Sequence, residues 1–206
     1  MGPSAVHYTP LTPLSFLARS AYVFPDKTAV VYKDARYTYR QFRQRVNRCA
    51  TALQAAGVTP GDRVAFLCPN IPPMLEAHYS VPLAGGILVA INTRLSASEI
   101  AYILNHSGAK VLCVDTELAG LIRPIREQLP QLETIINIVD GAYGPGLEGL
   151  DYETFLASGS DVLLDKPVQD ENEPISINYT SGTTGNPKGV MYTHRQGTLL
   201  APVHGR

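Results

Sequence analysis

Hydrophobic positions along this chain follow two spacings, one typical of buried strands and the other of helices with one apolar face. Nearly continuous apolar runs predict strands at residues 63–68, 87–91, 110–114 and 134–139. Helical spacing marks the segment that starts near Arg40, where the apolar stripe consists of Phe42, Val46, Cys49, Ala50 and Leu53. Strands that alternate with helices predict an α/β fold, in which a largely parallel sheet is flanked by helices through right-handed crossovers.

Short-range signals predict where several of these elements begin and end. Asn70 is the expected cap of the helix that follows the first buried strand. Ser96 and Glu99 have the spacing of a capping box at the start of the next helix, and Gly108 is placed to end that helix. Residues 118–129 are predicted to form one further continuous helix.

The stretch from Tyr179 to Gly189 differs in composition from the rest of the chain. Its sequence, Tyr-Thr-Ser-Gly-Thr-Thr-Gly-Asn-Pro-Lys-Gly, combines hydroxyl side chains, glycines and one lysine, and it contains no acidic residue. Predicted strands flank it, with residues 175–179 before it and residues 189–193 after it. Glycines let main-chain N–H groups converge on an anion, hydroxyls add donors, and Lys188 adds a positive charge suited to phosphate.

Two other interpretations of this stretch are weaker. A Walker A loop is excluded because the lysine follows Pro187 and because a predicted strand, not a helix, comes next. A generic polar surface turn has a similar composition, but a long run of such residues with a proline and a lysine so placed favours phosphate binding. Pro187 also restricts Asn186 and so sets the direction in which Lys188 leaves the loop.

The motif, continued by Val190 and by Thr193-His194-Arg195, resembles the signature loop of the AMP-forming acyl-activating enzymes. Upstream segments such as residues 24–29 and residues 61–64 are similar to the opening of short- and medium-chain or aryl acyl-CoA synthetases. The resemblance implies the N-terminal portion of the large, adenylate-forming domain, with a strand–loop–strand phosphate-binding hairpin near the C-terminus. Residues 1–206 are then an incomplete AMP-binding domain, in which residues 140–174 form a loop-rich connector before the hairpin.

The same resemblance implies the chemistry and the residues that support it. ATP and Mg²⁺ are the expected cofactors and coenzyme A the expected co-substrate, because these enzymes form an acyl-adenylate and then pass the acyl group to a thiol. Lys188 is the predicted catalytic cation, and Thr180 is the hydroxyl expected beside Mg²⁺. The residues expected to bind the ATP phosphates are Thr180, Ser181, Gly182, Thr183, Thr184, Gly185 and Lys188.

The resemblance also sets expectations about partners and extent. The expected substrate is a short- or medium-chain fatty acid or an aromatic carboxylic acid. Members of the family are much longer than 206 residues, so the chain is expected to lack the C-terminal part of its own fold and to be inactive by itself. Two alternatives stay open: an adenylation unit that serves a carrier protein, and a truncated, non-catalytic nucleotide-binding module.

Composition narrows the class of protein further. Hydrophobic residues make up 45% of the chain and charged residues 17%, which provides enough apolar material for a sizeable core. The formal net charge of −1 argues against a nucleic-acid partner, whose phosphates require a basic surface. No signal-peptide pattern opens the chain and no apolar run is long enough to span a bilayer, so the cytosol is the expected compartment.

Other polar residues have structural interpretations. Cys49, Cys68 and Cys113 lie far apart in apolar runs, and they are predicted to be buried thiols in a reducing compartment rather than a disulfide or a metal site. Asp115 follows a strand and is expected to cap a helix rather than to bind a ribose. The acidic residues between positions 158 and 174 are expected to form a solvated surface.

Overall fold

The computed structural model describes residues 9–141, 144–164, 168–180 and 186–200. The strands in this part of the chain are β1 (Thr28–Tyr32), β2 (Ala35–Thr38), β3 (Arg63–Leu67), β4 (Ile87–Ala90), β5 (Ala109–Asp115), β6 (Thr134–Ile138), β7 (Leu150–Asp151), β8 (Pro174–Thr180) and β9 (Lys188–Thr193). The α-helices are α1 (Leu14–Val23), α2 (Tyr39–Ala55), α3 (Pro72–Ala84), α4 (Ala97–Ser107), α5 (Ala119–Ile122), α6 (Tyr152–Ala157) and α7 (His194–Leu200).

A seven-stranded sheet with the order β7-β6-β5-β3-β4-β8-β9 organises the described residues. Neighbouring strands in it are parallel, except that β8 and β9 form an antiparallel hairpin at one edge. β1 and β2 pair with each other in a separate antiparallel hairpin. The predicted α/β fold with a largely parallel sheet flanked by helices is confirmed, and the hairpin that flanks the glycine-rich stretch belongs to the same sheet.

The core lies on both faces of this sheet, as the sequence of β3 illustrates. Val64 and Phe66 point to one face, where they pack with residues of α2, α3 and α6. Ala65 and Leu67 point to the other face, where they pack with residues of α4 and of the segment after β5. All four side chains are fully buried, which explains why this strand reads as a continuous apolar run rather than an alternating one.

The predicted capping box of α4 is present, whereas the predicted cap of α3 is wrong. Glu99 N donates to Ser96 Oγ at 3.4 Å, and Ser96 N donates to Glu99 Oε2 at 2.9 Å. In α3 the N-cap position is occupied by Ile71, which makes no side-chain capping bond. The first two residues of α3 are prolines, and since proline has no N–H, fewer unpaired donors are left there for a side chain such as Asn70 to satisfy.

The helix predicted over residues 118–129 is interrupted. Residues Thr116–Leu118 and Arg123–Gln128 form 3₁₀ helices on either side of the single-turn helix α5. Pro124 lies at the start of the second 3₁₀ segment, where it lacks the N–H that a continuous α-helix would use. None of the helices formed by the described residues combines the length and the apolar character needed to cross a membrane.

The three cysteines are buried and unpaired with one another, as predicted. Burial raises the pKa of Cys49 to about 11 and that of Cys68 to about 12. These side chains are therefore neutral thiols at physiological pH and behave as small apolar core residues.

Candidate functional site

The tip of the β8–β9 hairpin holds Thr180 and Lys188, two of the predicted phosphate-binding residues. Its cross-strand pairs run from Pro174 opposite Thr193 at the base to Thr180 opposite Lys188 at the tip. The structure thus brings together Thr180 and Lys188, which are separated by the glycine-rich loop in sequence. The remaining predicted site residues, Ser181, Gly182, Thr183, Thr184 and Gly185, lie outside the described residues, so their roles stay predictions.

Lys188 is exposed at the start of β9. Within the described parts of the chain, no hydrogen bond or ion pair involves its ammonium group. Residues 174–200 contain no aspartate or glutamate, so no carboxylate of the hairpin itself is available to neutralise this charge. A mobile ammonium group in such surroundings is suited to bind an anion with several oxygens, such as a polyphosphate.

Thr180 presents an exposed hydroxyl at the end of β8. Among the described residues there is no group of three or more His, Cys, Asp or Glu side chains that could hold a metal ion. An exposed hydroxyl can accompany phosphate oxygens and water in the coordination shell of a divalent cation. That coordination is typical of Mg²⁺ bound together with a nucleotide.

Tyr179, the residue before Thr180, anchors the end of β8 to α4. Its hydroxyl lies 2.8 Å from Nδ1 of His106, and the two rings meet edge to face at 5.7 Å. His106 in turn stacks on Tyr102 of the same helix at a centroid distance of 5.3 Å. Burial raises the pKa of Tyr179, so the phenol stays protonated and the start of the loop is held against a helix of the core.

Gly189, the residue after Lys188, allows the two strands to approach at this anchor. A Cβ atom at position 189 would lie 3.0 Å from Cγ2 of Ile177 and 3.2 Å from Cζ of Tyr179. The aromatic ring of Tyr179 therefore covers the backbone of the opposite strand directly. Packing between the strands thus fixes Tyr179 and Gly189 independently of the residues between them.

The prediction that the acidic residues of 158–174 form a solvated surface is wrong for Glu171. This residue is only 6% exposed, and its carboxylate forms an ion pair with Arg195 at the start of α7. Asp161, by contrast, lies on the surface and pairs with the half-exposed Arg48. Nothing in the local sequence distinguishes Glu171 from its acidic neighbours, because its partner lies on the far side of the hairpin.

Asp115 has the structural role expected of it. Its Oδ1 accepts a hydrogen bond from Glu117 N at 2.9 Å, which caps the 3₁₀ helix that follows β5. The side chain is almost completely buried, and burial raises its pKa. This arrangement leaves the carboxylate inside the fold rather than exposed to a ribose.

Known proteins have sequences similar to this chain over nearly its whole length. A family model described as AMP-binding enzyme matches residues 17–203. A peroxisomal butyrate–CoA ligase of Arabidopsis thaliana is 40% identical over 205 residues, which cover 94% of this chain and 36% of that protein. A 4-hydroxybutyrate–CoA ligase of Metallosphaera sedula is 40% identical over 203 residues, which cover 97% of this chain and 37% of that protein.

A solved structure of a CoA ligase has a similar fold. The crystal structure of an anthranilate CoA ligase in complex with anthranoyl-AMP matches this chain with a TM-score of 0.88 at 32% identity. The match covers 97% of this chain and 38% of that ligase. The chain therefore spans little more than a third of the length of each of these relatives.

Proposed function

We propose that this chain, which belongs to the AMP-binding enzyme family, forms part of an ATP-dependent acyl-CoA synthetase, an acid–thiol ligase. In the proposed first step a carboxylate oxygen attacks the α-phosphorus of ATP, the bond from that phosphorus to the bridging oxygen breaks, and pyrophosphate leaves. In the second step the sulfur of coenzyme A attacks the acyl carbon, the thiol gives up its proton, and AMP leaves with the electrons of the broken carbon–oxygen bond.

The main support for this proposal is the pairing of Thr180 with Lys188 at the tip of the β8–β9 hairpin. The ammonium group of Lys188, which has no carboxylate partner among the described residues, and the exposed hydroxyl of Thr180 stand on opposite strands, at the two ends of the glycine-rich stretch. Such an arrangement can hold the β- and γ-phosphates of ATP from both sides. Negative charge that develops on the leaving pyrophosphate would be stabilised by Lys188 without rearrangement of the strands.

The remaining loop residues are proposed to complete the cradle. Main-chain N–H groups from Ser181 to Gly185 would donate to phosphate oxygens, as glycine-rich loops do in anion sites. Mg²⁺, when bound, would neutralise phosphate charge, and the hydroxyl of Thr180 is the group of this chain proposed to lie beside it.

The acceptor is proposed to be coenzyme A and the acid a short- or medium-chain fatty acid or an aromatic acid. Support comes from the relatives described above, which are named for butyrate, 4-hydroxybutyrate and anthranilate and are all CoA ligases. A carrier-protein acceptor is less well supported, because none of these three names refers to one.

Residues 1–206 are proposed to be the N-terminal portion of the AMP-binding domain, with residues 140–174 as the connector to the phosphate-binding hairpin. The sites for adenine, ribose and the acyl group, and the rest of the coenzyme A site, would then come from sequence that this chain does not contain. The coverage of 36–38% of the relatives supports that division.

The cytosol stays the proposed compartment, and the peroxisome is the alternative because the Arabidopsis relative is named as peroxisomal. Microscopy of the intact gene product, tagged in turn at each terminus, would distinguish the two. Colocalisation with a peroxisomal marker would contradict the cytosolic assignment.

The test of the proposed function is exchange of radiolabelled pyrophosphate into ATP by the intact gene product, with a panel of short-chain, medium-chain and aromatic acids. We expect exchange that depends on the acid, and an acyl-CoA product when coenzyme A is added. Exchange without an acyl-CoA product would favour the carrier-protein alternative. Nucleotide binding without exchange for any acid would contradict the enzymatic proposal.

A further inference from the structure

Glu171 joins three segments of the chain at the base of the β8–β9 hairpin. Its Oε2 accepts a hydrogen bond from Leu11 N at 2.8 Å, and its Oε1 accepts from Nη1 of Arg195. Leu11 belongs to the segment before α1, whereas Arg195 lies just after β9. A buried carboxylate with a charged donor and a backbone donor is held in one position, since any other placement would leave the charge without its partners.

A second contact joins the same segments. Oγ1 of Thr12 lies 2.9 Å from Nδ1 of His194, which is 6% exposed. Burial lowers the pKa of His194, so the imidazole is neutral at physiological pH and shares a hydrogen bond with the hydroxyl. Close packing accompanies it, because a Cβ at Gly197 would lie 3.1 Å from Cδ1 of Ile175 and 3.4 Å from Cγ of Pro13.

Backbone hydrogen bonds connect these contacts to the strands. Arg195 N donates to the carbonyl of Glu171 at 2.8 Å, and His194 N donates to the carbonyl of Glu173 at 3.2 Å. The residues that precede β8 are therefore bound directly to those that follow β9. We call Thr12, Glu171, His194 and Arg195 the base joint.

We propose that the base joint positions the phosphate-binding loop by fixing the register of β8 against β9, so that its four members are positioning residues for adenylate formation. This inference rests on the proposed function of Thr180 and Lys188 at the tip. It adds the segment before α1, through Thr12, to the parts of the chain on which nucleotide binding depends.

The reason lies in the geometry of the hairpin. Its pairing is irregular between Pro174 and Ser176, opposite Thr193 and Tyr192, and such a bulge is a point where the register of two strands can change. A slip by one residue would turn every side chain of the slipped strand to the opposite face of the sheet. Lys188 would then no longer stand opposite Thr180. This pair lies about 20 Å from the base of the hairpin, at the usual rise per residue of a strand.

The experiment uses the intact gene product and compares Arg195→Met and Thr12→Val with Arg48→Met. The control variant removes an arginine of α2 whose ion pair with Asp161 lies on the surface. We expect Arg195→Met to raise the KM for ATP by about tenfold, because a small misplacement far from the reacting atoms is enough to impair catalysis. The KM for the acid and the rate of thioester formation from added acyl-adenylate should remain within about twofold of the wild type, with partial recovery of the KM for ATP in Arg195→Lys.

Hydrogen–deuterium exchange provides a readout that is independent of activity. Peptides covering residues 174–193 should exchange faster in Arg195→Met and in Thr12→Val than in the wild type, and not in Arg48→Met. Unchanged exchange in this segment, or an equal loss of rate in both half-reactions, would overturn the inference. Failure of the proposed function would give a different result, because Lys188→Ala would then leave ATP use unaffected. Hydrogen–deuterium exchange would still report on the base joint in that case.

Discussion

The guanidinium group of Arg45 and the carboxylate of Glu76 form an ion pair inside the protein, with Arg45 Nε donating to Glu76 Oε1 at 2.5 Å. Glu76 is completely buried, and its second oxygen accepts a hydrogen bond from the hydroxyl of Tyr152 at 2.8 Å. Arg45 also pairs with Glu153 on the surface at 2.6 Å. This network connects α2, α3 and α6 beneath the sheet.

Removal of Arg45 should destabilise the fold strongly. Arg45→Met leaves the carboxylate of Glu76 buried without its cation, and we expect a loss of about 3–5 kcal/mol in the free energy of unfolding. Arg48→Met, on the same helix, removes a surface pair and should have a much smaller effect. Urea denaturation of the two variants and the wild type measures the difference. Equal losses in both variants would show that the buried ion pair contributes no more to stability than the surface pair.

Loss of the lysine at the tip of the hairpin should affect the first half-reaction selectively. In the intact gene product we expect Lys188→Ala to slow adenylate formation by about a hundredfold, because it removes a charge that stabilises the departing pyrophosphate. Thioester formation from added acyl-adenylate should change little. Lys27→Ala, which removes another exposed lysine, serves as the control, and equal slowing of both half-reactions by Lys188→Ala would contradict the assignment.

The hydroxyl of Thr180 should influence the dependence on Mg²⁺. Thr180→Val keeps the shape of the side chain and removes the hydroxyl, so the Mg²⁺ concentration required for half-maximal adenylation should rise by about tenfold. Thr180→Ser retains the hydroxyl and should behave like the wild type. If Thr180→Val weakened ATP binding without altering the Mg²⁺ titration, the hydroxyl would contact phosphate and not the metal.

The stability of the fold should fall in acid because of Asp62. Burial by itself would raise the pKa of this carboxyl, but hydrogen bonds from Lys110 and from the backbone and hydroxyl of Thr59 outweigh it and lower the pKa from 3.8 to about 2. A lowered pKa in the folded state stabilises the protein above the ordinary pKa, and this contribution is lost as the pH falls from about 4 to about 2. Asp62→Asn should therefore be less stable than the wild type at pH 7, and the difference should shrink across that range.

Equilibrium unfolding of the wild type and of Asp62→Asn, measured at pH 7 and at intervals down to pH 2, provides the test. Asp26→Asn is the matched control, because Asp26 is an exposed carboxylate whose partner Arg40 is also largely exposed. A difference between the wild type and Asp62→Asn that stays constant below pH 4 would contradict the assignment.

Local chemistry was sufficient to predict much of the fold. The capping box of Ser96 and Glu99 needs only four consecutive residues to form, and the glycine that ends α4 needs only its own positive φ of 63°. The buried strands are equally local, because burial on both faces leaves an unbroken apolar run. Two predictions about helices were wrong, the cap at Asn70 and the continuous helix over residues 118–129. Both errors arise where prolines remove backbone N–H donors.

The parts of the site that could not be predicted depend on contacts between distant residues. The hydrogen bond between Tyr179 and His106 joins residues 73 positions apart, and that from Leu11 to Glu171 joins residues 160 apart. Neither pair has a local pattern that differs from an ordinary helix or an ordinary acidic loop. The motif around Lys188 could be recognised because its composition is local, whereas the side chains that hold it are dispersed along the chain.

The position of β8 beside β4 has a consequence for biosynthesis. The residues that pair in these two strands, such as Leu88 with Ser176, are separated by about 90 residues of chain. At usual rates of translation the ribosome needs roughly 5–20 s to make that length. Throughout this interval the edge of β4 has no neighbour on that side, and the nascent chain exposes an apolar strand to which molecular chaperones can bind.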